Sequence, residues 1–451
     1  MKGEDFGRTR SQVNEFMSVE SVKRSMRTMS LWKRLVIILI IMLLIRVGTV
    51  VPIPFVNRTY MQSVTGDGSS FLSILLGGSM SKMSLFALSI SPYITASIVI
   101  QLMTVVIPKL EEMQKDGKVG QDRYKKVISV TGIVFSFVQA VMMAVGFGSQ
   151  GLLSPYNIWT VIGATAIWTL GAVILILVGE FLDNFQLGSG ISMILLCNIL
   201  SSIPSDMIVL YETFISGHGI AMKIFACGVM VLVFAFALIA CTVLITGVKN
   251  IPVKLSGKIE GYCPKQDIPI PLITCNVMPY IFASSLLSLP LLLERFFPKL
   301  GDGVVGKIIA SFNSSNWFLI NHPVRSAGAV LFIILTYCFT LFYLNFAFNP
   351  QEMAINLKRQ GAFVAGRRPG KPTEEYLASV IRHVAVWGNG LMVLLIMVLT
   401  AICNLTGAGT LSLSGTSLII AVSVIYDLYT RILGEQKVHN TSTGKRRTVL
   451  G

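Results

Sequence analysis

Residues 84–106 read SLFALSISPYITASIVIQLMTVV, a continuous apolar run without a charged side chain. A helix needs about 20 residues to cross the ~30 Å hydrocarbon layer of a bilayer, and this run has that length. Nine further runs repeat the pattern, at about 35–51, 127–147, 159–179, 191–210, 221–247, 270–293, 329–348, 380–399 and 409–430. They are continuous rather than alternating and too long for barrel staves, which excludes a transmembrane β-barrel. Over all 451 residues, 53% are hydrophobic and only 13% charged, about half the ~25% usual in soluble domains. One soluble core cannot hide that much apolar surface. The sequence predicts an all-α polytopic membrane protein of ten transmembrane helices. The weakest span is 191–210, interrupted by Ser201, Ser202, Pro204 and Ser205.

The net charge of +15 would suggest nucleic acid in a soluble protein, but here the placement of charge decides. With the N-terminus inside, the segments 1–34, 107–126, 180–190, 248–269, 349–382 and 431–451 hold 29 of the 37 Lys and Arg residues. The outer segments hold seven: Arg58, Lys82, Lys223, Arg295, Lys299, Lys307 and Arg325. Arg46, in the first span, can snorkel to the outer interface. That asymmetry places both termini in the cytoplasm. Ten spans starting inside divide into two halves of five, and the second half then starts outside. Homologous halves so arranged are related by inversion, a plan common to transporters and channels.

The spans are almost free of ionisable residues, which in a membrane usually mark chemistry. No HExxH, GxSxG or GxxxxGK[ST] occurs, which disfavours intramembrane proteolysis and self-powered ATP hydrolysis. Five cysteines (Cys197, Cys227, Cys241, Cys338 and Cys403) lie in apolar runs and behave as small hydrophobes. Cys263 and Cys275 lack a CxxC or His partner, so no metal or other cofactor is expected. About thirty polar residues precede the first run, so that run is read as an anchor and not a cleaved leader.

Three breaks interrupt the helices. Residues 70–93, SFLSILLGGSMSKMSLFALSISPY, hold an apolar piece at 71–76 too short to span, then Gly77-Gly78. By itself this piece is either a cap on the outer face or a segment folding back into a cavity. The second break is Gly188-Ser189-Gly190 and the third is Met278-Pro279, read as lying within a span. Two long cytoplasmic loops, 248–269 and 349–380, carry most of the remaining interest. The first has Lys249 and Lys254; the second has Arg367-Arg368-Pro369-Gly370-Lys371, three cations on a Pro-Gly turn. Such clusters serve either topology and anionic lipid contact, or docking of a large anionic partner such as ribosomal RNA or an acidic protein surface. Charge alone favours the lipid.

Four ordered stretches resemble the SecY family, channel subunits of the general protein translocase. They are Ser91-Pro92-Tyr93-Ile94-Thr95-Ala96-Ser97-Ile98 leading into Gln101-Leu102, Pro279-Tyr280-Ile281-Phe282-Ala283-Ser284-Ser285, Asn349-Pro350-Gln351-Glu352 through Arg368-Pro369-Gly370-Lys371-Pro372-Thr373-Glu374-Glu375-Tyr376-Leu377, and Gly415-Thr416-Ser417-Leu418. The resemblance implies two inverted five-helix halves, 35–210 and 211–430, around a central pore with a lateral gate, between cytoplasmic segments 1–34 and 431–451. It turns the piece near 71–83 into a plug. It implies a pore ring of Ile90, Ile94, Leu195, Ile281 and Ile420, and partner contacts at Lys249, Lys254, Arg367, Arg368 and Lys371. It also implies a non-enzymatic channel of the bacterial cytoplasmic membrane. The expected partners are SecE, SecG, the SecA ATPase, the ribosome, signal peptides with their preproteins, and anionic lipids.

The sequence departs from the family pattern at several points. Lys249-Asn250-Ile251-Pro252-Val253 stands where an arginine pair before Ile-Pro-Val is usual, and Val364-Ala365-Gly366-Arg367 precedes Arg368-Pro369-Gly370 where Ile-Pro-Gly-Ile is usual. Gly188-Ser189-Gly190 replaces a common Gly-Asn-Gly, and Ser91 a common methionine. These differences leave room for a specialised copy. A secondary transporter of small solutes shares the span count, but the uncharged spans count against it.

Overall fold

The computed structural model describes residues 31–57, 83–148, 153–185, 187–210, 220–255, 266–296, 303–318, 326–364, 366–405 and 415–448. The chain divides into two units: the described residues up to Leu200 and from Val424 onward, and Ser201–Ser423. The first unit begins with α1 (Leu31–Gly48), α2 (Ser91–Val106), α3 (Pro108–Lys115), α4 (Gly117–Phe147) and α5 (Ile158–Asp183). The start of α6 (Gly190–Leu210) also belongs to it. Here α4 packs against both α2 and α5. The second unit continues with α7 (Ile220–Thr246), β1 (Val248–Leu255), β2 (Gln266–Pro271), α8 (Met278–Phe296), α9 (Gly303–Phe312) and α10 (Ala327–Ala347). It goes on through α11 (Pro350–Arg359), β3 (Ala362–Val364) and α12 (Lys371–Leu405) into α13 (Gly415–Thr448). In this unit α10 packs against α8 and α12.

The burial pattern is that of a protein solvated by lipid. Exposed apolar stripes run down the helices at three- and four-residue spacing: Val36, Leu39, Ile40, Leu43 and Val47 on α1, Trp387, Leu391, Leu394 and Val398 on α12. Small polar side chains lie inside instead, among them Thr104, Ser136, Thr336, Thr340 and Thr400. Water would penalise such exposed stripes, whereas hydrocarbon accepts them. These five hydroxyls each bond a carbonyl of their own helix. Thr336 donates to the Phe332 carbonyl (2.6 Å), Thr340 to Thr336 (2.8 Å) and Thr400 to Ile396 (2.8 Å).

Among the described residues, five stretches are long and apolar enough to cross a bilayer: Val119–Gly146, Ile158–Asp183, Ala327–Leu344, Lys371–Leu405 and Gly415–Gly434. A sixth would pair Ser91–Val106 with Pro108–Gln114, which meet at 111°. Its second arm is PKLEEMQK, with four charges in eight residues, so α2 is the apolar part and α3 the polar turn after it. Gly190–Pro204, Leu232–Thr246 and Met278–Glu294 are shorter apolar helices. The chain is thus a multi-pass helical membrane protein.

Several expected boundaries are corrected. The run at 84–106 becomes helical only at Ser91; residues 83–90 form turns, with left-handed backbone at Met83 (φ 41°) and Ser89 (φ 49°). Pro92, in the first turn, suits a helix start because its missing amide has no partner there anyway. The run at 270–293 likewise starts its helix at Met278, after β2 and a turn. Pro279 therefore opens a helix and does not interrupt one; the interior proline is Pro290. Conversely, 191–210 is one continuous helix that tolerates Pro204. The apolar piece at 71–76 lies outside the described residues.

The break at Gly188-Ser189-Gly190 is a helix start with an electrostatic clamp. The Gly190 amide donates to Asp183 Oδ1 (2.6 Å), setting a carboxylate at the positive end of α6. Lys125 of α4 holds the other carboxylate oxygen at 2.8 Å, and Ser129 donates to Glu180 one turn away. A side chain at Gly190 would collide with the Gly179 carbonyl, so α5 and the start of α6 touch backbone to backbone.

Candidate pore ring and cytoplasmic docking surface

All five expected ring positions are buried aliphatics: Ile90 is 0% exposed, Ile94 4%, Leu195 4%, Ile281 4% and Ile420 2%. None belongs to the exposed lipid-facing stripes. Ile90, Ile94 and Leu195 lie in the first unit, Ile281 and Ile420 in the second.

In the first unit, Ile90 ends the turn ahead of α2 and Ile94 follows one helical turn later, its amide donating to the Ile90 carbonyl (3.1 Å). Both therefore face the same way. The turn is wedged on two sides, because Gly171 of α5 leaves room for the Leu85 carbonyl and Gly48 of α1 for the Phe86 ring. Asn198 of α6, three residues after Leu195, donates to Ser89 Oγ (3.0 Å), one residue before Ile90. That buried bond fixes α6 against the turn, and so Leu195 relative to Ile90. Asn198 was legible only as a polar residue in an apolar run.

In the second unit, Ile281 lies in the first turn of α8, its amide bonded to the Val277 carbonyl (3.1 Å). Asn276, left-handed at φ 54°, precedes that turn. Its Oδ1 accepts from the Val277 amide (2.9 Å) and from the Ser423 hydroxyl of α13, the helix that carries Ile420.

The two long loops expected on the cytoplasmic side, read separately from sequence, form one element. A three-stranded antiparallel sheet in the order β2-β1-β3 joins them, with Lys249 opposite Ile270 and Lys254 opposite Phe363. This is a qualification to an all-helical fold. The reason lies in period-two burial along VKNIPVKL, where Ile251 and Val253 are buried and Pro252 is exposed. Beneath the sheet, Ile251, Ile270 and Val364 pack with Leu344 of α10 and Leu377, Ile381 and Ala385 of α12.

Cations crown this platform. Lys249, Arg367, Arg368 and Lys371 are exposed. Gly366 (φ 82°) and Gly370 (φ 110°) take the left-handed conformations that let the chain turn sharply on both sides of the arginine pair. The Arg367 amide donates to the Val364 carbonyl (3.1 Å), and the Thr373 hydroxyl to the Arg368 carbonyl (2.7 Å). Arg367 also lies over the Tyr376 ring, its guanidinium carbon 5.3 Å from the centroid. Lys371 opens α12, where a cation opposes the helix dipole. Glu374, in the same first turn, supplies the acidic residue that the dipole favours. Among the described residues, no cluster of His, Cys, Asp and Glu is arranged to hold a metal.

The SecY family profile matches residues 84–429. The protein translocase subunit SecY of Pseudomonas aeruginosa is 31% identical over 422 residues, 89% of this chain and 90% of that protein. Its Bacillus subtilis counterpart is 31% identical over 420 residues, 90% of this chain and 94% of that protein. A solved protein conducting channel superposes with a TM-score of 0.63 at 19% identity, covering 88% of this chain and 91% of the other. Sec61 in a canine ribosome-channel complex gives 0.59 at 18% identity, over 88% and 91%.

Proposed function

Because this chain belongs to the SecY family, we propose that it forms a protein-conducting channel in the bacterial cytoplasmic membrane. It passes unfolded secretory proteins across and releases transmembrane segments sideways into lipid. The observation that carries this reading is the family match, which takes in both halves of the expected pore. The full proposal has ten spans in two inverted halves, both termini cytoplasmic, a plug near 71–83 and a lateral gate.

The physical logic is specific to the residues. Ile90, Ile94, Leu195, Ile281 and Ile420 offer a passing ion no hydrogen bond, so a narrow ring of them dewets and blocks conduction. The same branched side chains yield to a polypeptide without binding any sequence tightly. A polar chain needs a wet path, which lipid denies it, while an apolar segment gains free energy on leaving for hydrocarbon. A pore that opens to both serves both. Drive comes from outside, from SecA or the ribosome docking on the cationic platform of Lys249, Lys254, Arg367, Arg368 and Lys371. SecE and SecG complete the assembly, and anionic lipids surround the platform.

A secretory chain stalled midway, with a photocrosslinker at Ile94 or Ile281, tests the proposal. Adducts to the stalled chain are expected at both positions, and their absence at both would overturn it. The departures at Lys249-Asn250 and Val364-Ala365-Gly366-Arg367 favour one second reading, a specialised copy serving a restricted set of substrates. It predicts export of few preproteins when this chain alone is supplied.

A further inference from the structure

We infer that Asn276 and Ser423 are a pair of positioning residues, a buried joint that holds the starting turn of α8 against α13 and so sets the separation of Ile281 and Ile420. The consequence for conduction rests on the channel reading above; the geometry does not. Asn276 precedes α8 by two residues and Ile281 by five, while Ser423 lies one turn beyond Ile420 on a helix that is otherwise apolar there. Ser423 is buried, and its hydroxyl donates to Asn276 Oδ1 across 147 residues of sequence. The left-handed backbone of Asn276, φ 54°, is a conformation that side chains other than glycine rarely adopt. Asparagine is the residue that tolerates it while offering a carbonyl oxygen to two donors, Val277 N–H and Ser423 O–H.

The rest of the segment is pinned as well. The Leu272 amide donates to the Gly247 carbonyl at the end of α7 (2.8 Å), and Gly388 of α12 leaves the space that the Leu272 carbonyl occupies. Residues 272–277 are therefore a short strut from the cytoplasmic sheet to α8, held by α7 and α12 at one end and by α13 at the other. A widening between Ile281 and Ile420 moves α8 away from α13 and breaks the Ser423 bond. The joint thus biases the resting pore towards closure.

Two readouts separate the joint from the ring. In a background freed of its seven native cysteines, nitroxides at Met278 and Val422 report the α8–α13 distance in the purified complex. Asn276→Gly keeps the left-handed backbone and removes the acceptor, Ser423→Ala removes the donor, and Ser423→Thr restores it. Broader distance distributions are expected in Asn276→Gly, Ser423→Ala and the double variant alike, with Ser423→Thr close to the parent. Resting ion leak in proteoliposomes should rise about five- to tenfold in the same three, the factor one hydrogen bond commands. Unchanged distributions in both single variants, or additive effects in the double, would overturn the joint. A wider distribution without added leak would support the joint and overturn the ring.

Discussion

Truncating Leu377 to alanine should loosen the three-stranded platform without disturbing the first unit. Leu377 is fully buried at the centre of the cluster that joins the sheet to α10 and α12, against Ile251, Ile270 and Val364. This cluster roofs over with strands that water reaches, so the costs of soluble cores apply. A buried Leu→Ala change removes about 3 kcal/mol, part transfer energy and part cavity. If that loss falls on local opening of the sheet, the opening constant rises roughly a hundredfold. Amide hydrogen exchange read peptide by peptide is the assay. Protection should fall by about that factor in residues 248–255 and 362–364 and stay unchanged in α4 and α5. Loss spread evenly over both units, or unchanged protection in the sheet, would refute the reasoning that the platform is one packed element.

Three further outcomes follow. Gly190→Val should destabilise the start of α6 by about 1–3 kcal/mol, because its side chain meets the Gly179 carbonyl; the melting temperature in detergent checks it. Asp183→Asn keeps an acceptor for the Gly190 amide but loses the charge facing Lys125, whose side chain is largely exposed. Its cost should be under about 1 kcal/mol, and Asp183→Ala should cost more, by the same melting assay. Arg368→Glu should weaken binding of SecA or ribosomes and flatten its dependence on salt, as expected for an exposed cation facing an anionic partner; sedimentation with native membranes over a salt series measures it.

The membrane character was legible because hydrocarbon demands long apolar runs whatever the tertiary structure. Helix starts were less so. Apolarity continues through the turns at 84–90 and the strand and turn at 270–277, so composition ran both into the helices that follow. Only backbone geometry separates them, as at Ser89 and Asn276. Pairing of the two loops depended on contacts between residues about a hundred positions apart, although Ile251 and Val253 alternate with Pro252 in plain view. The cations that mark the platform were evident from sequence, while the glycine turns and the Tyr376 contact that present them were not. Asn198 and Ser423 were readable as polar residues in apolar runs, but their partners, Ser89 and Asn276, are set by packing.

The most direct test is reconstitution. Purified chain supplied with the proposed SecE and SecG partners, placed in proteoliposomes with SecA, ATP and a signal-bearing preprotein, should protect full-length preprotein from external protease. The same preprotein without its signal should remain digestible. Failure to protect the signal-bearing form under conditions where a known translocase does so, together with saturable uptake of a small solute, would contradict a protein-conducting channel.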